Sequence, residues 1–341
     1  MSKIDLVIDL QFGSTGKGLL AGYLAETVGY DMVVTANMPN AGHTYINKEG
    51  RRWMHKALPS GITSPLLKVV AIGPGAVFCP DRLNQEIADS WDILQSKRII
   101  IHPNACVLNE GHRETERNSL SKISSTMQGS AAAVVQKMMR DGKNSPLARD
   151  MDKGHPLYRY VVTHAEWRYH VRSAYRILAE GAQGYSLSLN SEFWPHCTSR
   201  DCTPARFMAD MGLPLGYLNK VIGTARCHPI RVGNTSDGYS GNPYSDQLEL
   251  SWEELGQKPE LTTVTQRVRR VFSFSIEQME NAIQDCQPDE IFLNFCNYDE
   301  NLAREIANDI DVLGHNLSQK PLVRYTGHGP AFQHVKDHWA K

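Results

Sequence analysis

A lysine between two glycines, Gly16-Lys17-Gly18, is the first place where this chain of 341 residues can do chemistry. The run before it, Ile4 to Leu10, is β-branched and leucine-rich and reads as a buried strand. It breaks at Gly13 and resumes after Gly18 as LLAGYLAET, with Leu19, Leu20 and Leu24 at helical spacing. A strand, a glycine-rich turn and a helix form a cradle for phosphate. Glycine lets backbone N–H groups approach an anion, the helix N-terminus favours negative charge, and Lys17 adds a full positive one. The loop is not a Walker A motif, which needs Gly at Gln11 and Ser or Thr at Gly18.

Three further clusters carry chemistry. Asn40-Ala41-Gly42-His43-Thr44 is a small loop soon after a strand, where a histidine is exposed to ligand. In TTVTQRVRR, Thr262 to Arg270, the arginines at 267, 269 and 270 suit a carboxylate clamp, because guanidinium binds carboxylate bidentately; a solvated charge run is the other reading. In ISSTMQGSAAAVVQKMMR, Ser125, Thr126 and Gly129 offer hydroxyls and amides either to a nucleotide 5′-phosphate or to the N-cap of the following helix. His155, His164 and His170 fall at no metal spacing and read as surface or structural.

These residues need a scaffold. Strand signals recur at LVIDL, MVVTA, KVVAIG, KRIIIH, YRILAE, KVIGTA and EIFLNF, with helix-like segments such as DRLNQEIADSWDILQ and IEQMENAIQD between several of them. This alternation predicts an α/β fold: a single large domain, residues 1–341, on a mostly parallel central sheet with helices on both faces. A formal net charge of −1 argues against a basic nucleic-acid surface, and no run of ~20 apolar residues suits a membrane span. The seven cysteines include no CxxC pair, so free thiols in a reducing cytoplasm are expected, without a signal peptide.

Together, NMPNAGHT (37–44), LPSGI (58–62) and EGAQG (180–184) resemble adenylosuccinate synthetase, a family that couples aspartate to a purine nucleotide at the 6-position of the base. The resemblance runs from Ile4 to Pro330. It implies a Mg²⁺-dependent C–N ligase that phosphorylates the purine O6 and then displaces that phosphate with the aspartate amine. Gly13, Ser14, Thr15, Gly16, Lys17 and Gly18 would hold the donor phosphates, with Gly42 and Thr44 alongside and Ser14 and Gly42 near the metal. His43 would act at O6 and Gln183 would orient the base. Asn40, Ser125, Thr126, Thr198, Val232 and Arg267 would contact the purine nucleotide. Thr263, Val264, Thr265, Arg267 and Arg269 would hold aspartate, and Gly329 and Pro330 of YTGHGP would line the donor. Arg140 matches an arginine lent across a dimer interface, which implies a homodimer.

Departures from the family pattern redirect the substrates. Ordinary members read GDEGKG, and their aspartate serves as a base; this chain reads GSTGKG, and the Ser14 hydroxyl is a poor base and a weak metal ligand. A purine with a 2-amino group leaves less room for a carboxylate, and the family's phage-type branch uses dGMP. Ser14 therefore implies dGMP. The family's TKxD donor motif reads Asn294-Phe295-Cys296-Asn297 here, and without the acidic acceptor the donor is expected to be ATP or dATP, with Asn297 at the base. Asp299 would restore guanine recognition were the register two residues off. A glycine of the aspartate loop is Gln266. The competing readings are an ordinary enzyme using IMP and GTP, and a regulatory nucleotide binder without catalysis.

Overall fold

The computed structural model describes residues 2–142, 145–262, 266–318 and 320–340. Their centre is a nine-stranded sheet: β1 (Lys3–Asp9), β2 (Met32–Thr35), β3 (Val69–Ile72), β4 (Arg98–Ile101), β5 (Arg176–Glu180), β6 (Leu218–Arg226), β7 (Glu290–Asn294), β8 (Val323–Gly327) and β9 (Val335–Asp337). The order across the sheet is β9-β8-β7-β6-β1-β5-β2-β3-β4. All neighbours are parallel except β9, which returns antiparallel to β8. In β1 every residue after Lys3 is buried, as expected of a strand covered on both faces.

All seven strands expected from the sequence form β1 to β7. β8, β9 and the 19-residue helix Glu300–Ser318 were not among those expectations. VRYTG mixes polar residues into a short run before GHGP, so its strand character comes from pairing with β7. The helix expected over 81–95 divides at Ser90 into Pro80–Asp89 and Trp91–Leu94.

β1, β5, β6 and β7 lie side by side and end at Asp9, Glu180, Arg226 and Asn294, so four polar residues cluster at the carboxyl edge of the sheet. Ligands of open α/β sheets bind at that edge. A hairpin, His43–Ile46 against Arg52–His55, docks onto the helix that follows β1, α1 (Lys17–Val28). The docking needs two glycines: a Cβ on Gly18 would lie 2.9 Å from the Thr44 backbone, and one on Gly22 would lie 2.3 Å from the Tyr45 ring. The close approach brings His43 over the start of α1. All seven cysteines are free, five of them buried.

Candidate active site

Asp9 organises the loop after β1. Its Oδ1 accepts the N–H of Gln11 (2.9 Å) and of Gly13 (3.0 Å), while Oδ2 accepts the Thr15 amide and hydroxyl and pairs with Lys17 Nζ at 2.9 Å. Lys17 Nζ also donates to the Gln183 carbonyl at 2.9 Å. The lysine is thus held at the loop by two fixed acceptors and is nearly buried. Gly16, at φ 96°, caps α1 from the left-handed region, and a Cβ there would strike the Asn294 amide at 2.1 Å. Ser14 also takes a positive φ, 58°, and its side chain is exposed.

A second acid, Glu180 at the end of β5, accepts the N–H of Ser60 (2.8 Å) and Gly61 (2.7 Å) and lies 3.7 Å from His43 Nδ1. The LPSGI stretch is therefore the partner of EGAQG. Gln183, in left-handed conformation at φ 63°, donates from Nε2 to Asn40 Oδ1 at 2.9 Å. Its Oε1 accepts from Arg200, a guanidinium with no exposed surface that is also paired with Asp210 at 3.2 Å. Burial pushes the Arg200 pKa down, and Asp210 opposes that shift.

Arg226, at the end of β6, ties three loops together. It donates to the Ser14 carbonyl at 3.3 Å, pairs through both terminal nitrogens with Glu260, and lies 3.7 Å from the centre of the Phe295 ring. Tyr298 donates to the same Glu260 at 3.0 Å. Burial alone would raise the Glu260 carboxyl, but Arg226 holds it below the usual carboxylate range.

These groups face a cavity of about 560 Å³ lined by Gly13, Ser14, Gly16, Lys17, Gly18, Asn40, Gly42, His43, Thr44, Thr126, Gln183, Val232, Arg269, Asn297, Gly329 and Pro330, among others. A smaller cavity of about 150 Å³ shares Asn40, Thr126, Gln183, Val232 and Arg269 with it and adds Ser125 and Thr198. The tertiary structure so gathers residues from Gly13 to Pro330 around one cavity. Thr15 lies beneath the cavity floor, against Asp9 and Thr224.

Several expectations change. Arg270 is no part of a substrate clamp: its guanidinium is committed to Glu249, Ser240 and the Gly241 carbonyl. Arg269 reaches both cavities, whereas Arg267 lines neither and turns Nη2 toward the carbonyl of Ser125, a residue of the smaller one, at 3.4 Å. Thr263, Val264 and Thr265 lie outside the described residues. Gln266 keeps a left-handed φ of 53°, the conformation that a glycine would supply. Gly129 caps the helix Ser130–Met139, and its amide, with that of Ala131, goes to the buried Glu116 carboxylate rather than facing a phosphate. Arg140 ends that helix, exposed and outside both cavities. Asp299 caps the helix Glu300–Ser318 by accepting the N–H of Asn301 and Leu302, which leaves Asn297 as the cavity residue.

Asp9, Arg200, Arg226 and Glu260 do not stand out in the sequence, and Glu180 does so only as the first residue of EGAQG. Asp9 and Arg226 did leave a signal, a charge at the end of an apolar run. Arg200 left none.

The sequence matches the family model for adenylosuccinate synthetase over residues 6–153 and 154–304, and the chain belongs to that family. Within it, the chain is 59% identical over 341 residues to the N6-succino-2-amino-2′-deoxyadenylate synthase of Vibrio phage phiVC8, covering 98% of each chain. It is 31% identical over 277 residues to the adenylosuccinate synthetase of Methanococcus vannielii, covering 80% of this chain and 78% of that one. Among solved structures, the succinoaminodeoxyadenylate synthetase of cyanophage S-2L, bound to dGMP and to dATP as an energy donor, superposes with a TM-score of 0.90 at 36% identity, over 99% of this chain and 95% of that one.

Proposed function

We propose that this chain, folded as one domain, joins L-aspartate to the 6-position of dGMP and hydrolyses ATP or dATP. The products are N6-succino-2-amino-2′-deoxyadenylate, the nucleoside diphosphate and phosphate. The observation that carries this reading is Ser14: a short, uncharged side chain at a left-handed loop position, exposed to the cavity that also holds Lys17, His43 and Gln183. A hydroxymethyl group there leaves room for the guanine 2-amino group. The names of the phage relatives support the same substrate.

In the proposed reaction the purine N1 gives up its proton to bound aspartate or an ordered water, since the Ser14 hydroxyl is a poor base, as the donor γ-phosphoryl passes to O6; the aspartate amine then attacks C6, releasing phosphate and a proton. Lys17 and the first-turn amides of α1 hold the donor phosphates, where fixed positive charge stabilises the transferred group. His43 assists at O6, Gln183 and Asn40 orient the base, and Arg269 takes an aspartate carboxylate. Burial pushes Arg269 down to about 10, with Glu260 opposing, so it is still a cation at neutral pH. Asn297, Gly329 and Pro330 hold the adenine end of the donor, and an amide at 297 pairs with adenine's donor–acceptor edge.

Magnesium fits this site as a nucleotide-borne ion. Ser14 and Gly42 line the cavity beside Lys17 and offer only oxygen ligands, which suits a hard cation held mainly by phosphates. It would neutralise charge on the transferred phosphate. Among the described residues, no cluster of three or more His, Cys, Asp or Glu side chains forms a separate metal cage. Arg140, exposed at its helix end, suits donation to the 5′-phosphate site of a second copy, and a cytoplasmic homodimer follows from that reading. No helix among the described residues is long and apolar enough to cross a membrane.

The test mixes protein, Mg²⁺, ATP or dATP, and aspartate with dGMP or IMP in parallel, following phosphate and the succinyl product. Turnover with dGMP and little with IMP is expected. The opposite preference would make this an IMP enzyme, and binding without turnover a regulator.

A further inference from the structure

Gln183 has an amide with two unlike ends, and its surroundings dictate which end meets a ligand. Arg200 Nε and Nη2 stand 3.3 and 3.1 Å from Oε1. A guanidinium has only donors, so the oxygen must face it. Arg200 in turn cannot move: it has no exposed side-chain surface, donates to the Ala36 carbonyl at 2.8 Å, and pairs with Asp210, which also accepts from Arg206 Nε at 2.9 Å. Lys17 fixes Gln183 from the other side by donating to the Gln183 backbone carbonyl. With the oxygen consumed, Gln183 has only N–H to offer. One N–H goes to Asn40 Oδ1 at 2.9 Å, which engages that oxygen too and leaves Asn40 its amide nitrogen as a donor. Both residues line the two cavities.

We propose that Arg200 is a positioning residue that sets substrate specificity by fixing the polarity of the Gln183 amide, so that the site accepts a purine carrying an oxygen at position 6 and refuses one carrying an amino group. This rests on the reading above that Gln183 faces position 6 of the base. A 6-oxo purine presents an acceptor to donors from Gln183 and Asn40. A 6-amino purine presents N–H to N–H, and a buried donor without an acceptor is heavily penalised. The end product of this chemistry, after removal of the succinyl arm, is such a 6-amino nucleotide. The same device therefore keeps the site from being occupied by its own downstream product class.

The experiment compares equilibrium binding of dGMP with that of the 2,6-diaminopurine 2′-deoxynucleoside monophosphate, which differs in the 6-substituent and the N1 proton, so that the change in their ratio on altering Arg200 or Gln183 reads position 6. The protein as it stands should favour dGMP by about tenfold or more. Arg200→Met frees the amide to turn over, and the ratio should move toward one. Equal weakening of both nucleotides, with the ratio kept, would mean a structural role only and would overturn the proposal. Because Arg200→Met leaves Asp210 with less partner charge and risks unfolding, Gln183→Glu is the second variant. It keeps a charge-balanced pair with Arg200 yet offers no N–H, so the preference should invert toward the 6-amino nucleotide. If Gln183→Glu weakens both nucleotides equally, the polarity proposal falls while the contact stands. If it changes neither affinity, Gln183 does not face the base, and the functional reading beneath the proposal falls with it.

Discussion

Glu180 Oε2 stands 3.7 Å from His43 Nδ1 while the same carboxylate accepts the backbone N–H groups of Ser60 and Gly61. Both side chains are almost fully buried. One acid thus anchors a neighbouring loop and stands beside the imidazole that faces the cavity. Replacing His43 with Asn should lower kcat by roughly 10²–10⁴, with the unfolding free energy within about 1 kcal/mol of the parent. Glu180→Gln should lower kcat and also cost roughly 1–3 kcal/mol, because its NH₂ meets a backbone N–H. Steady-state kinetics and urea unfolding separate the two effects. A His43→Asn protein of ordinary kcat would remove His43 from the reaction.

Ser14→Asp introduces a carboxylate at φ 58°, a region that aspartate tolerates, so the loop should persist. Turnover of dGMP should fall, and the ratio of kcat/KM for dGMP over IMP should drop by about tenfold or more, the effect of crowding the guanine 2-amino group. An unchanged ratio would show that Ser14 does not choose the substrate.

Lys17→Met leaves Asp9 as a buried carboxylate without its cation. It should lower stability by roughly 3–5 kcal/mol and abolish turnover. The double variant with Asp9→Asn should recover part of that stability, read as a coupling energy in a double-mutant cycle, and none of the activity. Additive losses would mean that the 2.9 Å pair contributes nothing beyond its members.

Acid should weaken the fold through two buried histidines. Burial pushes His102 down to about 3, helped by His164 and Lys137, and pushes His228 down to about 4, helped by Arg226 and opposed by Asp299. Both are neutral in the fold, whereas an unfolded histidine titrates near ~6.5. Their contribution is complete above pH ~6.5 and is lost as pH falls toward about 4, where the unfolded chain binds protons that the fold refuses. His102→Gln or His228→Gln should each shrink the stability drop between pH ~7 and ~5 by roughly 1–2 kcal/mol, measured by urea unfolding at each pH. An undiminished drop would mean that these rings are protonated in the fold.

The sequence by itself determined whatever local order encodes. Ile4 to Leu24 carries strand, loop and helix in one contiguous stretch, so the glycine-rich loop that presents Lys17 is legible there, as are seven apolar strands and the alternation that makes them parallel. His43, Gln183 and Asn297 stood out because glycine-rich or family-like stretches surround them. Only the tertiary structure decided which charges the site keeps free and which it consumes. Arg270 and Arg269 are adjacent in sequence, yet strand pairing turns one to Glu249 and leaves the other at the cavity. Arg200, Arg226 and Glu260 meet their partners across 17, 212 and 34 residues of chain. No periodicity reports such pairings, because they are fixed by the order in which parallel strands are laid side by side. That order brings the ends of β1, β5, β6 and β7 to one edge, and the polarity of the site is set there.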